Sequence, residues 1–371
     1  MSQPEFETAS LTVRLDAVAA NYQLARREAG AARCAAVVKA DGYGLGASSV
    51  APVLAKAGCD TFFVARLAEG MALRPVLPQA RIFVLDGATP ETAPVLIAHR
   101  LIPVLNSLAG IAAWSAAATH ARLDAAIHID TGMNRLGLTG EELSTLASEW
   151  KTRLAGLELV LLMSHLACAD DLGPKAAMNC AQLGRFRAAL AMLPPAPASL
   201  AASSGLFLGA DYHFDLVRPG IALWGVGPPG SSNKGRKNPM KTVAVLTARV
   251  LQTRRIDKGE SVGYAATFRA KRPTMLATLA LGYADGIMRA ASNRGFAALG
   301  GERVPFAGRV SMDLLTLDVT QMKTPPRMGD VAELIGDTIS LSEAAGYCAT
   351  NEYELLTGLS PRLPRRYRDG G

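Results

Sequence analysis

Cysteine is scarce in this chain, and its pattern is uninformative in a useful way. Cys34, Cys59, Cys168, Cys180 and Cys348 are odd in number, dispersed, and form no CxxC pair. That excludes a disulfide framework and a structural zinc site, and it fits a reduced, cytoplasmic setting. No apolar run reaches the roughly 18 residues that a membrane span needs. The opening MSQPEFETAS has neither the basic start nor the apolar core of a signal peptide, so the expectation is a soluble protein. Charge blocks are also missing. The net charge of +7 arises from scattered Lys and Arg, apart from small groups at residues 234–241 and 362–368. Without a basic stripe interleaved with aromatics, nucleic acid is not an expected partner.

What is present is a long, apolar, glycine-rich chain. At 371 residues, with 49% of them hydrophobic, it exceeds one ordinary core and calls for a large barrel plus a second domain, or two similar domains. From residue 11 to about 225, short apolar runs alternate with Ala- and Leu-rich amphipathic stretches, the pattern of parallel strands joined by helices. The candidate strands CAAVVK, TFFVAR, RIFVLD, IPVLN, AAIHID, LELVLLMSH, SLAAS and LVRPGIALWG number about eight, enough to close a (β/α)₈ barrel. After PPGSSNKGRKNP, residues 228–239, the helical period fades and β-branched, alternating runs take over. The expected fold is an α/β TIM-type barrel over residues 1–235, followed by a mostly β domain over 236–371.

Polar and reactive residues gather where the candidate strands end. Lys39 ends the first, Asp86 the third, Asp130 and Arg135 follow the fifth, His165 ends the sixth, Ser203 and Ser204 the seventh, and Arg218 lies in the eighth. Barrel active sites occupy that rim. The segment VVKADGYGLG, residues 37–46, is the centre of the pattern. Lys39 stands at the end of a buried strand, where burial lowers the pKa of an ammonium group and frees a nucleophilic amine. The glycines behind it permit positive φ and close backbone approach to a ligand. This combination suits a Schiff-base lysine with a ring or phosphate beside it.

That segment resembles the cofactor-lysine signature of alanine racemases, with Leu45 where the family usually has His. The resemblance runs from roughly residue 10 to residue 368 through ordered motifs. It implies that Lys39 carries pyridoxal 5′-phosphate covalently and that Tyr43 contacts the phosphate. It also implies a two-base exchange at Cα, because inversion needs one proton carrier on each face of a planar carbon centre. Lys39 is the first base, and Tyr264 in ESVGYAATF matches the family's catalytic tyrosine. A free phenol, with a pKa near ~10, needs tuned neighbours to act as a base. His165 in SHLACAD and Arg218 in VRPGIALWG supply them, with Arg218 also facing the pyridine nitrogen.

HIDTGMNRLG, residues 128–137, resembles the block in which the arginine matching Arg135 bonds the cofactor's phenolic oxygen and holds the substrate carboxylate. Many relatives have a lysine, often carbamylated, where this chain has His128. Arg135 must then be positioned by a neutral imidazole acceptor, a bound anion or another carboxylate. Phosphate binding falls to Tyr43, Ser203 or Ser204, the backbone N–H groups of Gly220 and Ile221, and Tyr353. AASSG places Ser203 where the family frequently has Asn. In GRVSMDLLTLDV, Met312 offers its N–H to the substrate carboxylate with Asp313 supporting, and Tyr283 in LGYADG matches an entry gate. The family brings the tyrosine base and the Met–Asp pair from a neighbouring subunit, which implies a homodimer with shared active sites.

Other readings are weaker on residues. A non-catalytic pyridoxal-phosphate-binding protein would lack the second domain. A metal-assisted enzyme on a related barrel would want His or Cys ligands near the C-terminus, but none of the five histidines lies beyond His213, so no metal site is expected. A decarboxylase would pair the pyridine nitrogen with a carboxylate rather than Arg218. The expected activity is isomerase chemistry on a small amino acid: alanine racemisation supplying D-alanine for peptidoglycan, if the organism is bacterial. The alternative is a serine or broader-specificity racemase of the same fold.

Overall fold

The computed structural model describes residues 7–369 apart from 172, 174, 229 and 231–236. The first strand, β1 (Ala9–Arg14), is followed by a series of short parallel strands: β2 (Arg33–Cys34), β3 (Ala36–Val37), β4 (Thr61–Val64), β5 (Arg81–Val84), β6 (Ile102–Leu105), β7 (Leu123–His128), β8 (Leu157–Met163), β9 (Ala198–Ser199) and β10 (Leu216–Val217). From β3 to β9 each strand pairs with the next in sequence. β10 pairs in parallel with β2, which runs on into β3, and an Ala202–Arg218 bridge joins the ends of β9 and β10. The ring of pairings returns to its start, the eight-stranded barrel expected from the sequence.

Alternation along these strands explains their continuous apolar runs. Ala35, Phe63, Phe83, Ala126, Leu161 and Met163 fill the barrel interior, while their neighbours Ala36, Phe62, Ile82, Ile127 and Leu162 face the helical layer. Both faces are dry, so a one-sided pattern would have been wrong here. Phe63 and Phe83 stack with ring centroids 4.7 Å apart, plugging the barrel with two side chains whose burial contributes about 1.5–3 kcal/mol each. The polar residues sit above this plug.

The second region is antiparallel. β11 (Ala244–Ile256) is its spine, in one sheet with β14 (Thr274–Leu279), β15 (Phe296–Leu299), β16 (Glu302–Pro305), β17 (Leu315–Asp318), β18 (Val331–Ile335) and β19 (Arg365–Arg368), while β12 (Ser261–Val262) and β13 (Phe268–Arg269) form a separate two-stranded hairpin. β1 belongs to this sheet: it pairs antiparallel with β11 and parallel with β19. The segment expected to form the barrel therefore begins with a strand that pairs elsewhere, because alternation within a strand carries no information about its partner. The connector at 228–239 lies largely outside the described residues. All five cysteines are free, and among the described residues no helix is long and apolar enough to cross a membrane.

Candidate active site

Lys39 leaves the barrel through a left-handed turn. Ala40, Asp41, Gly42 and Tyr43 all have φ between 52° and 63°, a conformation that costs each non-glycine residue roughly 1–2 kcal/mol. Hydrogen bonds on every side hold it. The Glu69 carboxylate accepts from the N–H groups of Ala40 at 2.7 Å, Ala65 at 2.7 Å and Arg66 at 3.1 Å. Asp41 accepts from the Ala47 N–H at 2.8 Å, and the Gly44 N–H reaches Ala40 O at 2.8 Å.

The glycines were expected to admit a ligand, but at two of them the close neighbour is protein. A Cβ at Gly44 would lie 2.7 Å from Leu356 O, and one at Gly46 would lie 1.9 Å from the Tyr367 hydroxyl. Arg365 donates to Gly44 O from Nε and Nη2. The C-terminal segment thus clamps the turn that carries Lys39.

Beyond the turn lies a cavity of about 400 Å³ lined by Lys39, Tyr43, His128, Arg135, His165, Ser203, Ser204, Arg218, Gly220, Ile221 and Tyr353, among others. Burial lowers the Lys39 pKa, the Arg135 guanidinium lowers it further, and Glu69 opposes them. The His165 imidazole is pushed down to about 3 by burial first and then by Arg218 and Arg135. It stays neutral at any ordinary pH. Arg218 is itself lowered to about 10 by burial.

The Arg218 guanidinium is fixed from behind. Nη1 donates to Ser199 Oγ, Nη2 donates to Ser164 O at 2.7 Å, and the group lies 6.0 Å from the Phe63 ring centroid. Among the described residues the Nε N–H and the second N–H of Nη1 have no hydrogen-bond partner, so these are the donors left for a bound molecule.

The anion-binding end differs from expectation in one respect. The Gly220 N–H donates to Ser203 Oγ at 2.8 Å, and the Ala222 N–H to the same oxygen at 3.1 Å. Gly220 is therefore already bonded within the protein, and the Ser203 hydroxyl proton and the Ile221 N–H are the donors in reach of a phosphate. A Cβ on Gly220 would meet the Tyr43 hydroxyl at 2.1 Å, so only glycine lets that phenol lie against the turn. Burial raises the Tyr43 pKa and pushes Tyr353 up to about 12; both hydroxyls remain protonated donors.

Arg135 lies on a loop that folds back over His128, with the Leu138 N–H donating to His128 O at 2.8 Å and the Asp130 N–H to Leu138 O at 3.0 Å. The Asp130 carboxylate accepts the N–H groups of Gly132, Met133 and Asn134, so it shapes the loop rather than pairing with Arg135. No ion pair reaches Arg135 among the described residues. Asp86, read as a strand-end candidate, is exposed and does not line the cavity.

Tyr264, Tyr283, Met312 and Asp313 are not among the residues lining this cavity. Tyr264 is 71% exposed at the tip of the β12–β13 hairpin, on a turn with Gly263, Ala265 and Ala266 all at positive φ. Tyr283 and Met312 are likewise exposed. Their two loops are locked together: the Tyr283 N–H donates to Ser311 O at 2.9 Å and the Ala284 N–H to Met312 O at 3.0 Å. Arg362 forks onto Asp285 at 2.6 and 2.9 Å and onto Asp313 at 2.8 Å. Asp313 is thus held by Arg362.

Several supporting residues escaped the sequence reading. Glu69 organises the lysine turn, Asn106 bonds His128, and fully buried Gln182 donates to His165 O at 3.0 Å while accepting the Ala167 N–H. Asn106 could have been found, since it ends the strand IPVLN as Lys39 ends its own. Glu69 and Gln182 stand on helices, where nothing in the spacing marks them. The donors present, namely a buried arginine with free N–H groups, a lysine of lowered pKa, and hydroxyls beside a free backbone N–H, fit pyridoxal 5′-phosphate: a ring nitrogen, an aldehyde and a phosphate. Among the described residues no cluster of His, Cys, Asp or Glu could hold a metal ion.

Comparison with known proteins agrees in both regions. The alanine racemase N-terminal domain model matches residues 13–228, and the C-terminal domain model matches residues 243–367. The chain is 46% identical over 368 residues to the catabolic alanine racemase of Mesorhizobium japonicum, covering 98% of this chain and 94% of that protein. It is 45% identical to the alanine racemase of Brucella abortus, covering 99% and 96%. Among solved structures, the alanine racemase of Bartonella henselae with covalently bound pyridoxal phosphate superposes with a TM-score of 0.92 at 40% identity, covering 98% of this chain and all of that one. The biosynthetic alanine racemase of Pseudomonas aeruginosa gives 0.90 at 35%, with the same coverage.

Proposed function

The chain belongs to the alanine racemase family, and on that premise we propose how its own residues carry out the reaction. The activity is pyridoxal-phosphate-dependent interconversion of L- and D-alanine, an isomerase reaction consistent with D-alanine supply for peptidoglycan. One relative is described as catabolic and another as biosynthetic; the same chemistry serves either direction. Bound pyridoxal phosphate supplies an electron sink conjugated to the substrate amine, which makes the Cα proton acidic enough to remove.

The lowered pKa of Lys39 suits it both to anchor the cofactor and, once released by the substrate amine, to exchange a proton on one face of Cα. Tyr264 of a second copy takes the other face, and His165 and Arg218 form the polar environment that eases loss of its proton. Arg218 would face the ring nitrogen with an N–H that the protein leaves unbonded. A guanidinium cannot readily give up a proton, so Arg218 would leave that nitrogen unprotonated and restrain the sink from side reactions. Tyr43, Ser203, Ser204, Tyr353 and the Ile221 N–H hold the phosphate, with Gly220 shaping the turn. Arg135 and the Met312 N–H of the second copy take the substrate carboxylate, Asp313 steadies that segment, and Tyr283 guards the entrance.

The division at about residue 236, the homodimer with shared sites and the cytoplasmic setting belong to the same reading. Support for the dimer comes from Tyr264, an exposed phenol on a strained turn that nothing in its own chain uses. The observation that carries the whole is the rim cavity in which a lysine of lowered pKa faces a buried arginine rather than a carboxylate. The test is the absorbance spectrum with and without borohydride, followed by racemisation of a panel of amino acids. A borohydride-trapped chromophore on Lys39 with alanine as the best substrate is expected. Trapping without racemisation of any amino acid would leave a non-catalytic binding protein, and serine or longer side chains outpacing alanine would establish the broader-specificity alternative.

A further inference from the structure

Asn106, just past β6, uses its amide nitrogen twice, donating to Leu85 O and to Val104 O, each at 2.9 Å. Carbonyl oxygens only accept, so these two bonds fix which way the amide faces. Its Oδ1 lies 2.9 Å from His128 Nδ1. An amide oxygen cannot donate, so Nδ1 must carry the proton and Nε2 of the neutral ring must carry a lone pair. No group among the described residues satisfies that lone pair, and the ring lines the cavity.

The cations sharing the cavity are Lys39, Arg218 and Arg135, and Asp130 begins the loop just beyond. Arg218 is bonded from behind through both terminal nitrogens. Lys39 is the cofactor anchor. Arg135 has no hydrogen bond or ion pair among the described residues, and its loop folds back so closely that a Cβ on Gly137 would lie 3.2 Å from His128 Cγ. One unsatisfied acceptor and one unsatisfied fork of donors therefore face the same small space.

We propose that His128, fixed by Asn106 as the Nδ1–H tautomer, is a positioning residue whose Nε2 holds the Arg135 guanidinium in the orientation that receives the substrate carboxylate. Burial and the nearby guanidiniums keep the imidazole neutral down to about pH 4, so the lone pair persists under working conditions. The inference rests on the reading of Arg135 as the carboxylate-binding group, and the measurements separate the two.

In ¹⁵N-histidine-labelled holoenzyme, the His128 signals are those lost in His128→Gln. At neutral pH they should show a protonated Nδ1 and a lone-pair Nε2, and Asn106→Leu should shift the ring toward the opposite tautomer. The opposite tautomer in the unaltered protein would overturn the proposal. In kinetics, His128→Leu removes the acceptor and should raise KM for alanine by about tenfold, the effect of one hydrogen bond to a charged group, with a smaller change in kcat. His128→Gln keeps an acceptor and should recover most of that loss. Equal KM losses in both variants, or a loss confined to kcat, would also overturn it. An Arg135→Leu variant with unchanged KM would instead refute the carboxylate reading itself, whereas a raised KM there with none in His128→Leu would refute only the tautomer-based positioning.

Discussion

The two regions that carry the candidate catalytic groups are built in opposite ways. On the barrel rim, the functional groups are enclosed and cross-braced: Arg218 is 3% exposed and bonded from two sides, and Ser203 is 6% exposed with two N–H groups on its oxygen. In the β region, Tyr264 is 71% exposed and Met312 54% exposed, braced only at the backbone and through Arg362. The contrast separates groups whose surroundings are set within the chain from groups left open to solvent. Burial shifts the pKa values of the rim groups before any ligand arrives, whereas Tyr264 and Met312 stand exposed in the chain alone, and on the proposed reading a second copy would cover them.

The comparison is tested most severely by removing one group from each region. Lys39→Ala should lower racemisation by about 10³-fold or more, because both the anchor and one base are lost. Tyr264→Phe should slow proton abstraction from L-alanine by about 10²–10⁴-fold while affecting exchange on the D side less. Equal losses for both enantiomers would sink its assignment to the L face. Mixing the two inactive variants after dissociation sharpens the point. If sites are shared across a two-fold dimer, a mixed pair contains one site with both lysine and tyrosine intact, and random re-pairing should restore about a quarter of wild-type activity. No recovery would mean that each chain completes its own site.

A smaller effect concerns pH and the buried imidazoles. His165 and His128 titrate at about 3 and about 4 in the folded chain against an ordinary value near ~6.5 once unfolded. Below about pH 6.5 the unfolded chain binds protons that the folded chain refuses, so stability falls as pH falls toward about 4, by at most about 1.4 kcal/mol per pH unit for each ring. Urea unfolding of the cofactor-free protein at pH 7.5 and pH 5 should show this decline, and His165→Gln should lessen it. An unchanged pH dependence in the variant would place the effect elsewhere.

The smallest expected effect is at Glu69. Glu69→Ala removes three charge-assisted hydrogen bonds from the lysine turn and should cost about 2 kcal/mol, together with slower cofactor capture. In Arg362→Ala the Tyr283 and Met312 loops should loosen, raising KM with little change in the unfolding midpoint. A large loss of stability there would show that the β-region patch is braced as firmly as the rim.

Much of the barrel was legible because its physics is local to each strand. Apolar runs of four to seven residues between amphipathic helices leave few architectures, and polar residues at successive strand ends mark one rim. Lys39, His165, Ser203 and Arg218 were readable for that reason, and the cavity gathers all four. β1 was not among the candidate strands, and its pairing with β11 and β19 was not legible because a strand does not announce its partner. Glu69 and Gln182 went unseen because their roles depend on which backbone N–H groups a distant helix meets. Gly220 was read as a free donor because its bond to Ser203 spans 17 positions and has no spacing signature.

By itself, the sequence determined the kind of scaffold and a strand-end lysine before a glycine-rich turn, and through its resemblance to the alanine racemases it pointed to the class of chemistry. Only the tertiary structure decided which groups are free to act. It showed that Gly44 and Gly46 make room for the C-terminal segment, that Asn106 lies against His128, and that Tyr264 is exposed and does not line the cavity of its own chain. The reason is physical: composition and periodicity report what each residue prefers to bury, but hydrogen bonds are directional and saturable. Which donor remains available is known only once every neighbour has taken its place.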